Sequence, residues 1–412
     1  MTKRRPHILV LNQYYTPGVE ATANLLADLC QALAEDYDVT VVTGRLAGRV
    51  LPSDEVVSGV RVFRTRSTAY DRTKLHRRAA NYLTYLADSL VRALSRRRVD
   101  LVLTMTDPPI VGDIGVLVSR RYRAPLLVIS EDVFPEIATE LGRLTNPIVI
   151  GALRRLVTYY LRRADAIVAI GERMRDRLIA KGAPAERVRV VPNWVDTRSI
   201  RPQPHVNAWS RRQNLAESFV VMHSGNVGHA QNLDTLVLAT TYLRDLDDLT
   251  VAVIGSGARS REVEGLAVRL EADKVRFLEY QPREVLSESL SAARLHYVGL
   301  VHGLAGYVVP SRVYGVLATA RPVLVAADDD SETADLVRTV GCGIVVPPDR
   351  ADLVAATIRD AYEGRLELEE MGRRGRAYVE RDADRLVALG RYRRLVGELL
   401  GTSTPFSASS DR

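Results

Sequence analysis

The segment most suggestive of chemistry is 224–228, with the sequence SGNVG, which follows the apolar run Phe219–His223 and precedes a helical pattern that begins near Leu233. Glycine lets backbone N–H groups approach a phosphate, and the start of a following helix favours negative charge. A tight turn between a strand and a helix, with no ligand, is the alternative. The predicted phosphate contacts are Ser224, Gly225, Asn226 and Gly228.

A second glycine pair, Gly255 and Gly257, also follows an apolar run. This pattern is found in dinucleotide sites, and Glu279 ends the next strand near where a ribose-binding acid would lie. However, position 260 is serine rather than a third glycine, and the strand is not the first of its half. We therefore expect a phosphate-binding turn, and an oxidoreductase is the weaker interpretation.

A hydroxyl and a cation stand together in Pro310-Ser311-Arg312, ahead of the apolar helical pattern 313–320. Both groups suit an anion near the start of a helix. The alternative is structural, because serine is a good helix-capping residue whatever is bound.

Carboxylates cluster after a strand in the first half, at Glu131, Asp132 and Glu136. The carboxyl end of a parallel strand is where an active-site edge would lie. A solvated acidic loop is the alternative. Further on, Asp196 follows the last strand of this half, and we predict that it braces the chain there.

Strand and helix patterns alternate along nearly the whole chain, which predicts parallel β-α-β units with helices on both sheet faces. The long helical pattern 73–96 is the most regular. A polar, arginine-rich stretch at 196–217 interrupts the alternation and reads as a linker, after which the pattern restarts. Two α/β halves of this kind usually bind their ligand at the junction, outside the strand carboxyl ends.

Composition narrows the functional classes. The 412 residues carry a formal charge of +7, but only four of the 57 basic residues are lysines and the arginines are scattered. We therefore expect no nucleic-acid partner, although phosphate-bearing ligands or an anionic membrane suit the surplus charge. Cys30 and Cys342 lack partners for a disulfide framework or zinc site, which favours the cytoplasm. The sequence contains no run of about 18 apolar residues, so we expect no transmembrane helix.

Taken together, these segments resemble the retaining glycosyltransferases of family 4 with the GT-B fold, especially the bacterial polysaccharide, colanic-acid and fucosamine transferases. Residues 14–18, ahead of a helix, are similar to the family's glycine-containing first loop, which places Gly18 on the acceptor side. Residues 132–136 match its aspartate–x–x–proline–glutamate segment. Residues 192–196 are similar to its domain-closing signature. The two glycine segments, Pro310–Arg312 and residues 341–348 match its donor half.

One departure concerns the nucleotide ribose. The family often carries two glutamates separated by seven residues around the helix after the Pro-Ser-basic segment, and the matching positions here are Tyr307 and Gly315. Because neither offers a carboxylate, we expect Glu332 or a nearby backbone group to contact the ribose.

The resemblance implies two Rossmann-like domains facing across a cleft. The acceptor domain would be 1–197, joined by a returning helix at 384–400, and the donor domain would be 198–383. The tail 402–412 is expected to be disordered.

The implied reaction moves a sugar, with retention and without a metal ion, from a nucleoside-diphosphate donor such as a UDP-sugar. The acceptor would be a glycan, a lipid-linked molecule or a small molecule, in the cytoplasm or at the inner membrane face. Basic helices 73–98 and 154–163, the second with Tyr159 and Tyr160, could rest on an anionic membrane. Arg312, Asp132 and Glu136 are the expected catalytic residues, with Glu131 beside the acceptor. The alternatives are a GT-B sugar-nucleotide epimerase and a non-catalytic nucleotide-sugar-binding protein.

Overall fold

A computed structural model of the protein describes residues 4–18, 21–70 and 75–402. Most of the expected tail, from residue 403 onward, and the expected start of the long basic helix at residues 73–74 lie outside these ranges. The chain divides into two compact units. The first comprises Met1–Pro192 with Ala388–Arg412, and the second comprises Asn193–Val387.

The first unit is built on an eight-stranded sheet of order β3-β4-β2-β1-β5-β6-β7-β8. Neighbouring strands are parallel, except that β3 runs antiparallel to β4. Strands β1, β5, β6 and β7 are almost wholly buried, as expected for apolar runs covered on both faces. The strands are β1 His7–Leu11, β2 Asp38–Thr43, β3 Asp54–Val57, β4 Val60–Arg64, β5 Leu101–Thr104, β6 Leu126–Ser130, β7 Ala166–Ala169 and β8 Val188–Val190.

Helices connect these parallel strands, because a parallel crossover needs about a dozen residues or more. The helices of this unit are α1 Ala21–Leu33, α2 Leu75–Leu94, α3 Val111–Tyr122, α4 Glu136–Glu140, α5 Pro147–Arg163 and α6 Glu172–Ala180. Within the described ranges, no helix is long and apolar enough to cross a membrane.

The second unit contains a six-stranded parallel sheet of order β11-β10-β9-β12-β13-β14. Its strands are β9 Phe219–Ser224, β10 Leu249–Ile254, β11 Val275–Leu278, β12 Leu295–Gly299, β13 Val323–Ala326 and β14 Gly343–Val346. Its helices are α7 Ala208–Arg212, α8 Leu233–Thr240, α9 Ser260–Arg269, α10 Leu286–Ser291, α11 Arg312–Ala318, α12 Glu332–Val340, α13 Ala351–Tyr362 and α14 Leu368–Asp382.

The stretch expected to be a simple linker is partly folded. Asp196 accepts hydrogen bonds from the backbone amides of Arg198 and Ser199, both at 3.0 Å, so it braces the chain as predicted. The short α7 then buries Trp209, whose indole N–H donates to Gln281 Oε1 at 2.7 Å. The prediction of a plain linker was therefore wrong for α7, because one aromatic side chain in a polar stretch is enough to anchor it.

The last helix, α15 Arg385–Leu400, begins in the second unit and continues in the first. Its buried residues Tyr392 and Val396 belong to the first unit. Arg393 pairs there with Glu35 and Asp36, which follow α1.

Candidate functional site

The two glycine segments of the second unit lie side by side at one sheet edge. Because β9 and β10 are parallel neighbours, the residues that follow them emerge together. A Cβ added to Gly255 would lie 2.1 Å from the carbonyl oxygen of Gly225, and one added to Gly257 would lie 2.3 Å from that of Val227. Gly255 also has a φ of +121°. Glycine is therefore required at 255 and 257 for the two turns to pack against each other.

The amide groups of these glycines have acceptors within the protein. Gly225 donates to the carbonyl of Ile254 at 2.9 Å, and Gly255 donates to that of Leu278 at 3.0 Å. Side chains accept from the other two: Gly228 donates to Gln231 Oε1 and Gly257 to Ser260 Oγ, each at 2.9 Å. In this structure the four amides therefore donate to groups of the protein itself, and their contact with a phosphate stays a prediction. The two glycine turns give this sheet edge its shape, and the positive charge at the edge comes from a side chain.

That charge is supplied by Arg312, the first residue of α11. A Cβ on Gly225 would lie 3.9 Å from Arg312 Nε, so the guanidinium lies beside the first glycine turn. Arg312 Nη1 lies 3.0 Å from Nδ1 of the buried His223. Burial lowers the pKa of Arg312 to about 10. Within the described residues, no carboxylate forms an ion pair with this guanidinium, which is the arrangement expected of an anion-binding cation.

The residues around Arg312 settle the capping alternative. Ser311 has helical backbone angles, and its side chain makes no capping hydrogen bond to α11. Pro310 is buried just ahead of it. Gly315 is partly buried and has room for a methyl group, because an added Cβ would meet Leu290 Cδ1 at an ordinary contact distance of 3.7 Å. The hydroxyl of Ser311 is therefore not used as an N-cap.

A cavity of about 420 Å³ lies beside the second glycine turn. Its lining includes Gly255, Ser256 and Phe277, together with Glu279 and the exposed ring of Tyr280. The cavity therefore adjoins the same sheet edge as Arg312, because β11, β10 and β9 are consecutive parallel strands.

Two more expected donor contacts belong to this edge in different ways. Asn226 is exposed at the tip of the first turn, and its backbone oxygen lies 3.3 Å from His223 Nε2. Glu332 is half-buried at the first residue of α12, after Ser331, whose side chain caps that helix. Because β13 is parallel to β9 and β10 and α12 follows it, Glu332 lies at the same sheet edge as the glycine turns.

In the first unit, acidic groups gather where β5 and β6 end. The pKa of Asp132 is raised to about 7 by burial, with the negative charges of Asp107 and Glu131 adding to the effect and Arg78 opposing it. Glu131 is buried. The loop that holds Gly18 reaches this group, since the amide of Gln13 donates to the carbonyl of Asp107 at 2.7 Å. Carboxyl groups with perturbed pKa values at a strand edge are candidates for binding or proton transfer.

Glu136, which we expected to be catalytic, forms two ion pairs in this structure. Its carboxylate accepts hydrogen bonds from the buried Lys181 and from Arg154 Nε, the latter at 3.1 Å. Two cations therefore hold it at the start of α4. The membrane prediction needs correction for two residues only: Arg154 pairs with this acid, and Tyr160 is buried against Gly112 rather than exposed.

Sequence reasoning missed three residues of these two edges: His223, Asp107 and Arg78. Asp107 lies three residues after the end of β5, so the same rule of strand ends that pointed to Glu131 after β6 could have found it. His223 lies inside β9 and looked like an ordinary strand residue. Arg78 lies on α2, and only the tertiary structure shows that it approaches the acidic group.

No group of three or more histidine, cysteine or acidic side chains suited to a metal ion occurs within the described part of the chain.

The sequence matches two protein families in succession. Residues 18–194 match the glycosyl transferase 4-like domain, and residues 207–378 match the glycosyl transferases group 1. These two segments correspond to the two sheets.

Individual relatives and structures agree. The chain is 26% identical over 76% of its length, and 78% of the relative's, to a probable glycosyltransferase, WbjE, of Pseudomonas aeruginosa. It is 27% identical over 57% of its length, and 58% of the relative's, to a putative colanic acid biosynthesis glycosyl transferase, WcaI, of Escherichia coli K12. Sucrose-phosphate synthase of Thermosynechococcus elongatus is 17% identical with a TM-score of 0.80, covering 97% of this chain and all of that one. HepE of Anabaena in complex with UDP is 16% identical with a TM-score of 0.72, covering 95% and 100%.

The two successive α/β units and the matches to them define a GT-B glycosyltransferase. The chain belongs to glycosyltransferase family 4, and one of its relatives, WcaI, is named a putative colanic acid biosynthesis glycosyl transferase.

Proposed function

We propose that the protein transfers a sugar from a nucleoside-diphosphate donor to an acceptor hydroxyl with retention of configuration and without a metal ion. The observation that carries this proposal is Arg312, a guanidinium beside Gly225 with no ion pair to a carboxylate among the described residues. Arg312 is partly buried, and removing a cation from water without a counter-charge costs free energy that a bound diphosphate would offset.

In this proposal Arg312 stabilises the leaving group. As the bond between the anomeric carbon and the phosphate oxygen breaks, negative charge develops on the diphosphate. A fixed cation at that position lowers the barrier without reorganisation, and one such interaction commonly contributes about 3–4 kcal/mol. The exposed tip at Asn226 is a further polar contact for the same phosphates.

The nucleoside would occupy the cavity beside Gly255. Its volume of about 420 Å³ falls within the usual range for small-molecule sites, and the exposed ring of Tyr280 offers a stacking surface for a base. The Anabaena HepE structure contains UDP, which makes a uridine nucleotide the first probe to test. Glu332 is our candidate for the ribose hydroxyls.

The acceptor would lie in the first unit, at the edge formed by Gly18, Glu131 and Asp132. With its pKa near 7, the Asp132 carboxyl can donate a hydrogen bond to a sugar hydroxyl when protonated or accept one when ionised. Asp107 and Arg78 lie close enough to influence this carboxyl and complete a polar surface suited to hydroxyl groups.

Retention follows if the acceptor attacks the face from which the diphosphate departs. The acceptor oxygen then bonds to the anomeric carbon, and its proton passes to the departing phosphate oxygen. No protein base is required for this step. The double ion pairing of Glu136 supports this route, because that carboxylate is occupied by Lys181 and Arg154.

A lipid-linked acceptor is supported by α5. The exposed residues Ile148, Leu156 and Tyr159 lie on this helix with the exposed Arg155 and Arg162. Apolar and cationic side chains on one helix suit the surface of an anionic bilayer. We therefore place the reaction at the cytoplasmic face of a membrane, and Ile148→Asp with Leu156→Asp should abolish sedimentation with phosphatidylglycerol vesicles.

The test of the whole proposal is a transfer assay with UDP-sugars, candidate acceptors and excess EDTA. Transfer should require an acceptor, continue with EDTA present, and give a product whose anomeric configuration by NMR equals that of the donor. An inverted product would refute retention. Arrest by EDTA that is reversed by Mg²⁺ would refute the metal-free mechanism.

A further inference from the structure

A cluster of arginines surrounds a cavity of about 390 Å³ on the first unit. The cavity lies where β1 and β2 begin and where the chain leaves α2, so it is at the amino ends of the strands. The candidate acceptor edge is formed by the carboxyl ends of the same sheet. The cavity is therefore separate from that acceptor edge, and the glycine turns of the donor edge belong to the other unit. The guanidinium-bearing residues in its lining are Arg4, Arg5, Arg61, Arg96, Arg97 and Arg98.

The charge of the lining is strongly unbalanced. Apart from the six arginines, the lining contains one carboxylate, Asp38, and the imidazole of His7. Among the described residues, acids at the margin pair with two of these cations: Arg61 with Asp54, and Arg98 with Asp100. The lining therefore carries a surplus of positive charge.

Part of this cluster is held in place by neighbouring groups. The guanidinium carbons of Arg61 and Arg96 lie 4.9 and 4.3 Å from the centroid of the Phe63 ring, so two like charges are gathered on one aromatic side chain. Burial and the nearby charge of Arg61 lower the pKa of Arg96. The His7 ring holds two other lining residues in place, because its nitrogens lie 2.6 Å from the Arg98 carbonyl oxygen and 2.9 Å from Thr40 Oγ1.

Two further cations are available for a ligand. Within the described part of the chain, the side chains of Arg4 and Arg97 form neither an ion pair nor a hydrogen bond, and both are exposed. Guanidinium groups bind phosphate oxygens through paired N–H donors. We propose that this cavity binds a small ligand carrying several phosphate charges, at a site independent of the sugar donor.

Two kinds of ligand carry several phosphate charges: a soluble polyphosphate, and the phosphate headgroups of an anionic bilayer. The volume accommodates either a short phosphate chain or a headgroup, since small-molecule sites are typically about 300–1,000 Å³. The two sources differ in whether binding requires a membrane surface.

The experiment compares the wild-type protein with the double variant Arg4→Gln/Arg97→Gln, which removes no contact within the described residues. Inorganic tripolyphosphate is titrated calorimetrically at low salt with saturating UDP, and sedimentation with phosphatidylglycerol vesicles is measured separately. Arg143→Gln, an exposed arginine of the same unit outside the cavity, is the control for lost charge.

The double variant should weaken binding of tripolyphosphate, of vesicles, or of both by about three- to tenfold, while Arg143→Gln leaves both unchanged. A loss confined to tripolyphosphate identifies a soluble ligand, and a loss confined to vesicles identifies a headgroup. If neither probe binds the wild-type protein, or if the double variant and the control behave alike, the proposal is wrong. Since UDP occupies the proposed donor site, and transferase activity is measured separately, failure here leaves the proposed sugar transfer untouched; absent vesicle binding by the wild-type protein would count only against the membrane location.

Discussion

The guanidinium of Arg312 lies against the imidazole of His223, with Nη1 3.0 Å from Nδ1 and 3.1 Å from Nε2. Burial, together with the adjacent positive charge, holds the pKa of His223 well below its usual value. The ring is therefore neutral at physiological pH and can accept a hydrogen bond from Arg312. This contact connects the start of α11 to the first glycine turn and positions the cation beside Gly225.

Replacing Arg312 tests its role in turnover. If the guanidinium stabilises the departing diphosphate, Arg312→Ala should lower kcat by about 10²- to 10³-fold. Arg312→Lys should recover part of the loss, because it keeps the charge but not the paired donors. The kcat of each variant is measured as the rate at which nucleoside diphosphate is released. The control is Arg373→Gln, an exposed arginine paired with Glu370, and an unchanged kcat in Arg312→Ala would place the diphosphate elsewhere.

The raised pKa of Asp132 predicts a pH-dependent stability. Its folded value of about 7 lies above the unfolded value of about 3.9, so its stabilising contribution is complete below about pH 4 and lost as the pH rises through 7. Asp132→Asn cannot ionise, so it should be more stable than the wild-type protein by about 1–3 kcal/mol at pH 8.5, with a smaller difference at pH 5.

Melting temperatures at the two pH values measure this effect. The exposed Asp330→Asn serves as the control and should track the wild-type protein at both. If the difference between Asp132→Asn and wild type is the same at pH 5 and pH 8.5, the acidic edge does not raise this pKa.

Glu136 is predicted to be structural. Glu136→Gln leaves Lys181 buried without its partner, which should lower the free energy of unfolding by about 2–4 kcal/mol. Adding Lys181→Met removes the stranded charge and should restore at least half of the loss. Urea unfolding of the single and double variants measures this coupling. If Glu136→Gln keeps the native stability while its kcat falls a hundredfold, Glu136 is a catalytic residue rather than a structural one.

Two glycines test the packing of the turns. An added methyl at Gly255 would meet the Gly225 carbonyl at 2.1 Å, so Gly255→Ala should cost about 2 kcal/mol or more. Gly315→Ala has 3.7 Å of clearance within a helix and should be neutral or slightly stabilising. Thermal unfolding compares them. Equal melting temperatures would mean that the two turns do not pack closely.

The ribose assignment concerns Glu332. If its carboxylate accepts hydrogen bonds from the ribose hydroxyls, Glu332→Gln should weaken UDP binding about tenfold while leaving pyrophosphate binding unchanged. Calorimetry with both ligands separates ribose recognition from phosphate recognition. Undiminished UDP affinity would refute this assignment alone.

The sequence predicted the fold well, because the evidence is local. The alternation of apolar runs with helical patterns predicted parallel β-α-β units, and buried strands such as β5 and β6 are such runs. Parallel strands place their ends together whatever the remainder of the chain does. That rule located Gly225 and Asp132 at sheet edges. It failed to find β3, a short, exposed strand whose antiparallel pairing depends on β4.

The chemical roles were harder to predict, because they depend on partners distant in sequence. Glu136 looked like Asp132 until Lys181, 45 positions later, proved to be its partner. Gly255 looked like a phosphate contact, but its missing side chain makes room for Gly225. Residue type and strand position identify where a site lies, and only the packed neighbours determine what each side chain does there.

The most direct test of the account is calorimetric titration of UDP in excess EDTA, with the wild-type protein and with Arg312→Ala. We predict one binding site in the wild-type protein, the same affinity with and without EDTA, and an affinity at least about tenfold lower in Arg312→Ala. Loss of wild-type binding on chelation, or equal affinity in the variant, would contradict the claim that Arg312 binds the diphosphate without a metal ion.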